Sequence, residues 1–150
     1  MITGSASGIG RAVAHVFVEE GCTRLILADR DEAGLRAVAE ELKALNPEVR
    51  TCICVCDISL ETDVQNMIDD GVKAFGAIHY AVNNAGVTNH PRVKTHELDA
   101  QAWDRVQNVN GRGTWLCQRA EIRQMLSQEP SLSMRCVFDD RKVIALLTQG

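Results

Sequence analysis

Three glycines, at positions 4, 8 and 10, stand in the opening run Thr3-Gly4-Ser5-Ala6-Ser7-Gly8-Ile9-Gly10. The run lies between a short apolar start (Met1, Ile2) and a segment with helical periodicity. A glycine turn that feeds a helix offers unhindered backbone N–H groups and the positive end of the helix dipole. Both favour a diphosphate. Arg24-Leu25-Ile26-Leu27-Ala28 reads as the next strand and ends in Asp29, 19 residues after Gly10. An acidic side chain at about that distance is where the ribose hydroxyls of a dinucleotide are gripped. Gly4, Ser5, Ser7, Gly8, Ile9 and Gly10 are therefore candidate diphosphate contacts, and Asp29 is the candidate ribose contact.

Positioning these residues requires strands that alternate with helices, and the chain supplies that alternation. The first helix is expected to bury Ile9, Ala12, Val13, Val16 and Phe17, an i, i+3, i+4, i+7, i+8 face. The second is expected from Asp31 to Leu45 with Leu35, Val38, Ala39 and Leu42 inward, stopped by Asn46-Pro47. A third strand spans Arg50 to Cys56, and Ser59 is the expected N-cap of a third helix. That helix buries Val64, Met67, Ile68, Val72 and Phe75 and ends at Gly76. Ile78 to Asn83 reads as a fourth strand, 87–98 as a polar loop, and a long fourth helix carries Trp103, Val106, Asn110, Thr114 and Cys117. Alternating β and α with right-handed crossovers gives an α/β doubly wound parallel sheet.

Three more motifs follow in order: Cys56-Asp57-Ile58 at a strand end, Asn83-Asn84-Ala85-Gly86, and Asn108-Val109-Asn110-Gly111 within a helix. Together with the T-G-x-x-x-G-x-G spacing of residues 3–10, they resemble the short-chain dehydrogenase/reductase family over residues 1–125. The resemblance implies a Rossmann-like fold and alcohol–carbonyl interconversion by hydride transfer to or from NAD or NADP. It places adenine near Asp57 and Ile58, makes Asn84, Ala85 and Gly86 walls of the cofactor cleft, and matches Asn110 to the catalytic Asn. Asp29 repels a 2′-phosphate, and Ser7 stands where phosphate-preferring relatives often carry a basic residue. NAD is thus expected, with Arg30, a candidate 2′-phosphate partner, keeping NADP as the alternative.

The chain also departs from that family. The family's acid/base centre is a Tyr with a Lys four residues later, preceded by a Ser. The one tyrosine here is Tyr80, and position 84 is Asn. Tyr80 falls inside the expected fourth strand, where packing is its role. No Ser follows Ser133. Against the family pattern both ends read as truncated, with about four apolar residues of the first strand and the Tyr-x-x-x-Lys helix missing. Residues 1–127 are expected to form the dinucleotide-binding βα units. Residues 128–150 form a divergent tail of the same domain, with Arg135 to Phe138 as a candidate fifth strand. The expected function is an oxidoreductase-type chain, inactive as it stands. The alternatives are a catalytically silent nucleotide-binding module or a product without stable function.

Composition narrows the classes further. The 150 residues suit one domain, with 45% hydrophobic and 4% aromatic content. A net charge of −4 argues against nucleic-acid or anionic-membrane partners. No apolar run approaches a transmembrane length and no signal-peptide pattern is present, so a cytoplasmic location is expected. Cys52, Cys54 and Cys56 alternate along a strand and so share one face, unlike zinc knuckles. His15, His79, His90 and His96 share no ligand spacing, and no metal site is expected. The partner expected is a small alcohol or carbonyl, if the chain is active. Relatives dimerise through the fourth and fifth helices. With the fifth missing, self-association through uncovered apolar groups near Trp103 or Trp115 is expected in place of a defined oligomer.

Overall fold

The computed structural model describes residues 1–88 and 93–129. Along them run β1 (Ile2–Thr3), α1 (Gly8–Glu19), β2 (Arg24–Asp29), α2 (Glu32–Leu45), β3 (Arg50–Val55), α3 (Glu61–Phe75) and β4 (Val82–Asn83). A helical run follows: α4 (Ala100–Val106), a π-helical stretch (Gln107–Gly113) and α5 (Thr114–Ser127). The strands form one parallel sheet in the order β3-β2-β1-β4. The chain winds outward from β1 to β3, then crosses to β1's other side for β4. The strand order therefore reverses next to β1, the point where such sheets open a crevice at their carboxyl ends.

Helices cover both faces, so central strand residues are apolar on both sides. Leu25 and Leu27 of β2 pack with Ala14 and Val18 of α1 and with Leu35, Val38 and Leu42 of α2. On the other face Ile26, Ala28, Cys54 and Cys56 pack with Val64, Met67 and Ile68 of α3 and with Leu116 and Cys117 of α5. The three strand cysteines do share a face: Cys54 and Cys56 are buried there, and Cys52 packs against the same cluster. Gly71 is explained by close approach, since a Cβ there would collide with Cδ1 of Ile26.

Several expectations need correction. The first helix is turned by one residue: Gly10, Ala14 and Val18 are buried, while Ile9 is 60% and Val16 53% exposed. The cause is Gly10, whose missing Cβ lets α1 press against the Gly4 carbonyl. Ser59 is not the cap of α3. That helix begins after Leu60, and the Ser59 hydroxyl bonds Asp57 instead. Only Val82 and Asn83 of the expected fourth strand pair, matching the two residues of β1 beside them. Tyr80 lies ahead of β4 and is 54% exposed, so it is not a core packing residue. The expected single fourth helix widens into π-helix around Asn110. The candidate strand Arg135 to Phe138 and the loop residue His90 lie outside the described residues.

Candidate functional site

The glycine loop leaves β1 at its carboxyl end and is held from below. The Thr3 hydroxyl accepts the N–H groups of Asn84 and Ala85, each at 3.1 Å. The Asn84 side-chain amide donates to the carbonyls of Thr3 (3.2 Å) and Gly4 (3.3 Å). A Cβ on Gly4 would lie 2.8 Å from Cα of Ala85, and one on Gly10 would lie 2.7 Å from Nδ2 of Asn84. Gly4 and Gly10 therefore serve close packing between loop, helix and β4. Gly8 differs. Its φ is +54°, and a Cβ there would meet no protein atom within 4 Å. Gly8 borders open space.

Helix α1 starts under that space without protection. Its N-cap Ser7 makes no side-chain cap bond and its first turn holds no acidic residue. By contrast α2 is capped by Asp31, α4 by Asp99, and α3 has Glu61 and Asp63 in its first turn. The first N–H groups of a helix have no intrahelical partner, and at α1 the chain adds no side-chain acceptor for them. An anion is the complementary ligand.

Beside the loop lies a cleft of about 140 Å³ lined by Gly4, Asp29, Arg30, Asp57, Ile58, Ala85 and Gly86, with Ala28, Cys56, Val87 and Val109. It unites seven of the candidate cofactor contacts named from the sequence. Asp29 is fixed at its rim, Oδ2 accepting from the Ala6 N–H (3.1 Å) and Oδ1 from the Asp31 N–H (3.1 Å). Asp57 accepts the Ser59 hydroxyl (2.7 Å) and N–H (3.0 Å) at Oδ1. Nε of Arg30 stands 3.7 Å from its Oδ2. The Ser59 hydroxyl holds the Asp57 carboxyl below its usual pKa, against partial desolvation, and the Ser59 N–H and the Arg30 charge add to the lowering.

Other candidates are placed differently. Ser7, Gly8 and Ile9 are exposed at the mouth of α1, and Gly10 is buried beneath it. Ser5 is wholly buried, its N–H and hydroxyl both directed at the Ala28 carbonyl (3.2 and 3.3 Å). Asn84 braces the loop through its side chain. Asn110 clasps Val87, Oδ1 accepting its N–H (2.8 Å) and Nδ2 donating to its carbonyl (2.9 Å). Val87 had no role in the sequence reading, Thr3 and Val109 stood there only as members of motifs, and Ser59 only as the expected cap of the third helix. Among the described residues, no group of three or more His, Cys, Asp or Glu is placed to hold a metal ion.

The sequence profile of the short chain dehydrogenase family matches residues 1–131. The chain belongs to this family. Its dinucleotide-type loop, sheet order and cleft are the N-terminal features of a short-chain dehydrogenase. A (+)-cis,cis-nepetalactol synthase of Nepeta racemosa is 32% identical over 136 residues, covering 91% of this chain and 49% of that protein. A chanoclavine-I dehydrogenase of Arthroderma otae is 30% identical, covering 83% of this chain and 48% of its own length. A 3-ketoacyl-(acyl-carrier-protein) reductase from Brucella melitensis, solved in complex with NADH, superposes with a TM-score of 0.73 at 32% identity. That match covers 82% of this chain and 48% of the reductase. The chain thus spans about half the length of the curated relatives it matches. Among the described residues, no helix is long and apolar enough to cross a membrane.

Proposed function

We propose that the chain is the NAD(H)-binding portion of an oxidoreductase that interconverts an alcohol and a carbonyl. The observation that carries this reading is the uncapped N-terminus of α1 beneath the open space at Gly8, next to the fixed carboxylate of Asp29. Bound there, the dinucleotide would supply the hydride acceptor or donor. The residues present fit it: the loop N–H groups at the start of α1 would meet the diphosphate, and Asp29 would accept from the ribose hydroxyls. Asp57 and Ile58 would border the adenine, and Ala85 and Gly86 would line the way toward the nicotinamide.

Asp29 favours NAD over NADP because a second negative charge at the 2′ position would meet a carboxylate held in place by two backbone donors. Arg30, the residue that could offset that repulsion, is drawn toward Asp57. The 150 residues do not carry the proton-transfer half of the reaction. Tyr80 is their one phenol, and it lies toward the opposite ends of the strands from the glycine loop. Asn110 spends its amide on Val87 and has no group that titrates near neutrality. Residues 1–127 act in this reading as one binding domain. The free cysteines among the described residues suit a reducing, cytoplasmic setting.

Calorimetric titration of the 150-residue protein with NADH and NADPH tests the proposal. NADH should bind at least about tenfold more tightly, a difference of about 1.4 kcal/mol. Equal affinities, or no heat from either at millimolar concentration, would overturn it. Oxidation of NADH with a panel of carbonyls should stay at the uncatalysed rate.

A further inference from the structure

Among the described residues β3 is an edge strand of the sheet, and two of its cysteines meet on the face that α3 covers. Sγ of Cys52 lies 3.8 Å from Sγ of Cys54. Cys54 is buried, its Sγ 4.0 Å from the Met67 carbonyl of α3, whereas Cys52 is partly exposed. Neither thiol lines the cleft beside the glycine loop. Alternate residues of a strand share a face, and here that places two sulfurs side by side with one of them open to solvent.

The spacing decides what such a pair can take. Residues two apart on a strand lie about 6.6 Å apart, and their Cβ atoms, pointing the same way, keep about that separation. A disulfide needs Cβ atoms about 3.5–4.5 Å apart. To close one, β3 would have to buckle against its pairing with β2, which runs from Arg24↔Arg50 to Asp29↔Val55. A bridging atom removes that demand. Two sulfurs bonded at about 2.3 Å to one centre, at an angle of about 100–110°, stand about 3.5–3.8 Å apart. The observed 3.8 Å is that bite.

We propose that Cys52 and Cys54 form a dithiol site that closes on a single thiophilic centre, with trivalent arsenic as its representative ligand. The two thiols have different roles. The Cys54 S–H holds the Cys52 thiol below its usual pKa, against partial burial and the Asp70 charge. The same hydrogen bond, with burial, pushes the Cys54 thiol up. Cys52, the more exposed partner, is thus the first nucleophile. With a hydrated arsenical, R–As(OH)2, its sulfur bonds arsenic and displaces one hydroxide, which leaves as water with the Cys52 proton. The Cys54 sulfur then forms the second As–S bond, and its proton leaves with the second hydroxide as water. Arsenic stays trivalent throughout, and no electrons are transferred. The second bond is intramolecular, so the pair holds the centre against a free monothiol.

The test adds phenylarsine oxide to the 150-residue protein in excess glutathione, without nucleotide, so the outcome is independent of the NAD proposal. Intact mass should rise by one phenylarsine oxide less one water, with the loss of two titratable thiols. Far-ultraviolet circular dichroism should keep its folded form, because the bridge fits the strand as it stands. Cys52→Ser and Cys54→Ser should each lose the adduct, and Cys22→Ser should keep it. No adduct on the wild-type protein, an adduct that survives either of the first two substitutions, or one that forms only as the folded signal disappears would overturn the proposal. Where a serine variant does not fold, the position of the wild-type adduct decides. After denaturation iodoacetamide should alkylate Cys56 and spare Cys52 and Cys54, and alkylation of either of these two overturns the proposal.

Discussion

Gly8 and Gly21 make a matched pair. Both have positive φ, +54° and +90°, and at both a Cβ would meet no protein atom within 4 Å. Placing valine at either forces an L side chain into left-handed backbone, which costs roughly 1–2 kcal/mol. For a chain of this length a loss of 1 kcal/mol lowers the melting temperature by about 2–4 °C, so both variants should melt about 2–8 °C lower. Their binding should diverge. Gly21 lies at the far end of α1, whereas Gly8→Val puts a branched side chain over the uncapped helix start. Calorimetry with NADH should show at least about a tenfold loss for Gly8→Val, worth about 1.4 kcal/mol, and wild-type affinity for Gly21→Val. Wild-type NADH affinity in Gly8→Val would refute the assigned diphosphate cradle. A parallel loss in Gly21→Val would show that strain, not occupancy, is being measured.

Glu121 is buried at 4% exposure, with Oε2 accepting from the Asn83 amide (2.8 Å) and Oε1 lacking a partner in the structure. Desolvation raises its pKa, against the Asn83 bond and the Met1 charge. The folded chain therefore holds this proton more tightly than the unfolded one. Its stabilising effect is complete below the unfolded pKa and is lost as pH rises through the folded value. Glu121→Gln should flatten that part of the stability–pH curve in urea titrations, and an unchanged curve would count against a neutral buried carboxyl. Asn84→Ala removes two side-chain bonds under the glycine loop and should cost about 1–3 kcal/mol at 0.5–1.5 kcal/mol each. Amide exchange at Gly4 to Ser7 should quicken; unaltered protection there would mean the loop is held by other means.

The sheet and its first three helices were legible because their signals are local. The faces of α2 and α3 follow apolar spacing, and α2 begins one residue after its expected start, with Asp31 as its cap. The face of α1 was misread because Gly10 counts as nothing in a hydrophobic pattern, yet its bare Cα fixes which side of the helix meets the Gly4 carbonyl. Ser59 was misread because a serine before a helix has two acceptors to choose from, and the carboxylate of Asp57 outcompeted the helix N–H groups. The π-helical stretch left only an indirect mark: Gly111 and Gly113 lower helical preference, and a Cβ at Gly113 would lie 2.9 Å from Ile58. Thr3 gained its role from residues 81 and 82 positions away in sequence, and Val109 its place in the cleft from other elements of the fold, which no periodicity reports.

The segment 78–87 shows why the candidate site depends on side chains more than on the sheet. β4 pairs at two residues, yet the segment supplies Ala85, Gly86 and Val87 to the cleft. Four side-chain amides hold it. Gln128 bonds both backbone groups of Ile78 (3.1 and 2.7 Å), and Asn83 bonds Glu121. Asn84 bonds the glycine loop, and Asn110 bonds both backbone groups of Val87. Each amide offers a donor and an acceptor in the spacing of a peptide group, so Gln128 and Asn110 act on 78 and 87 as a neighbouring strand would. Such bonds contribute about 0.5–1.5 kcal/mol each and share little cooperativity with the ladder. This wall of the cleft is therefore tied to α5 and the π-helical stretch, and a ligand that orders residues 85–87 also orders the helical run that carries Asn110.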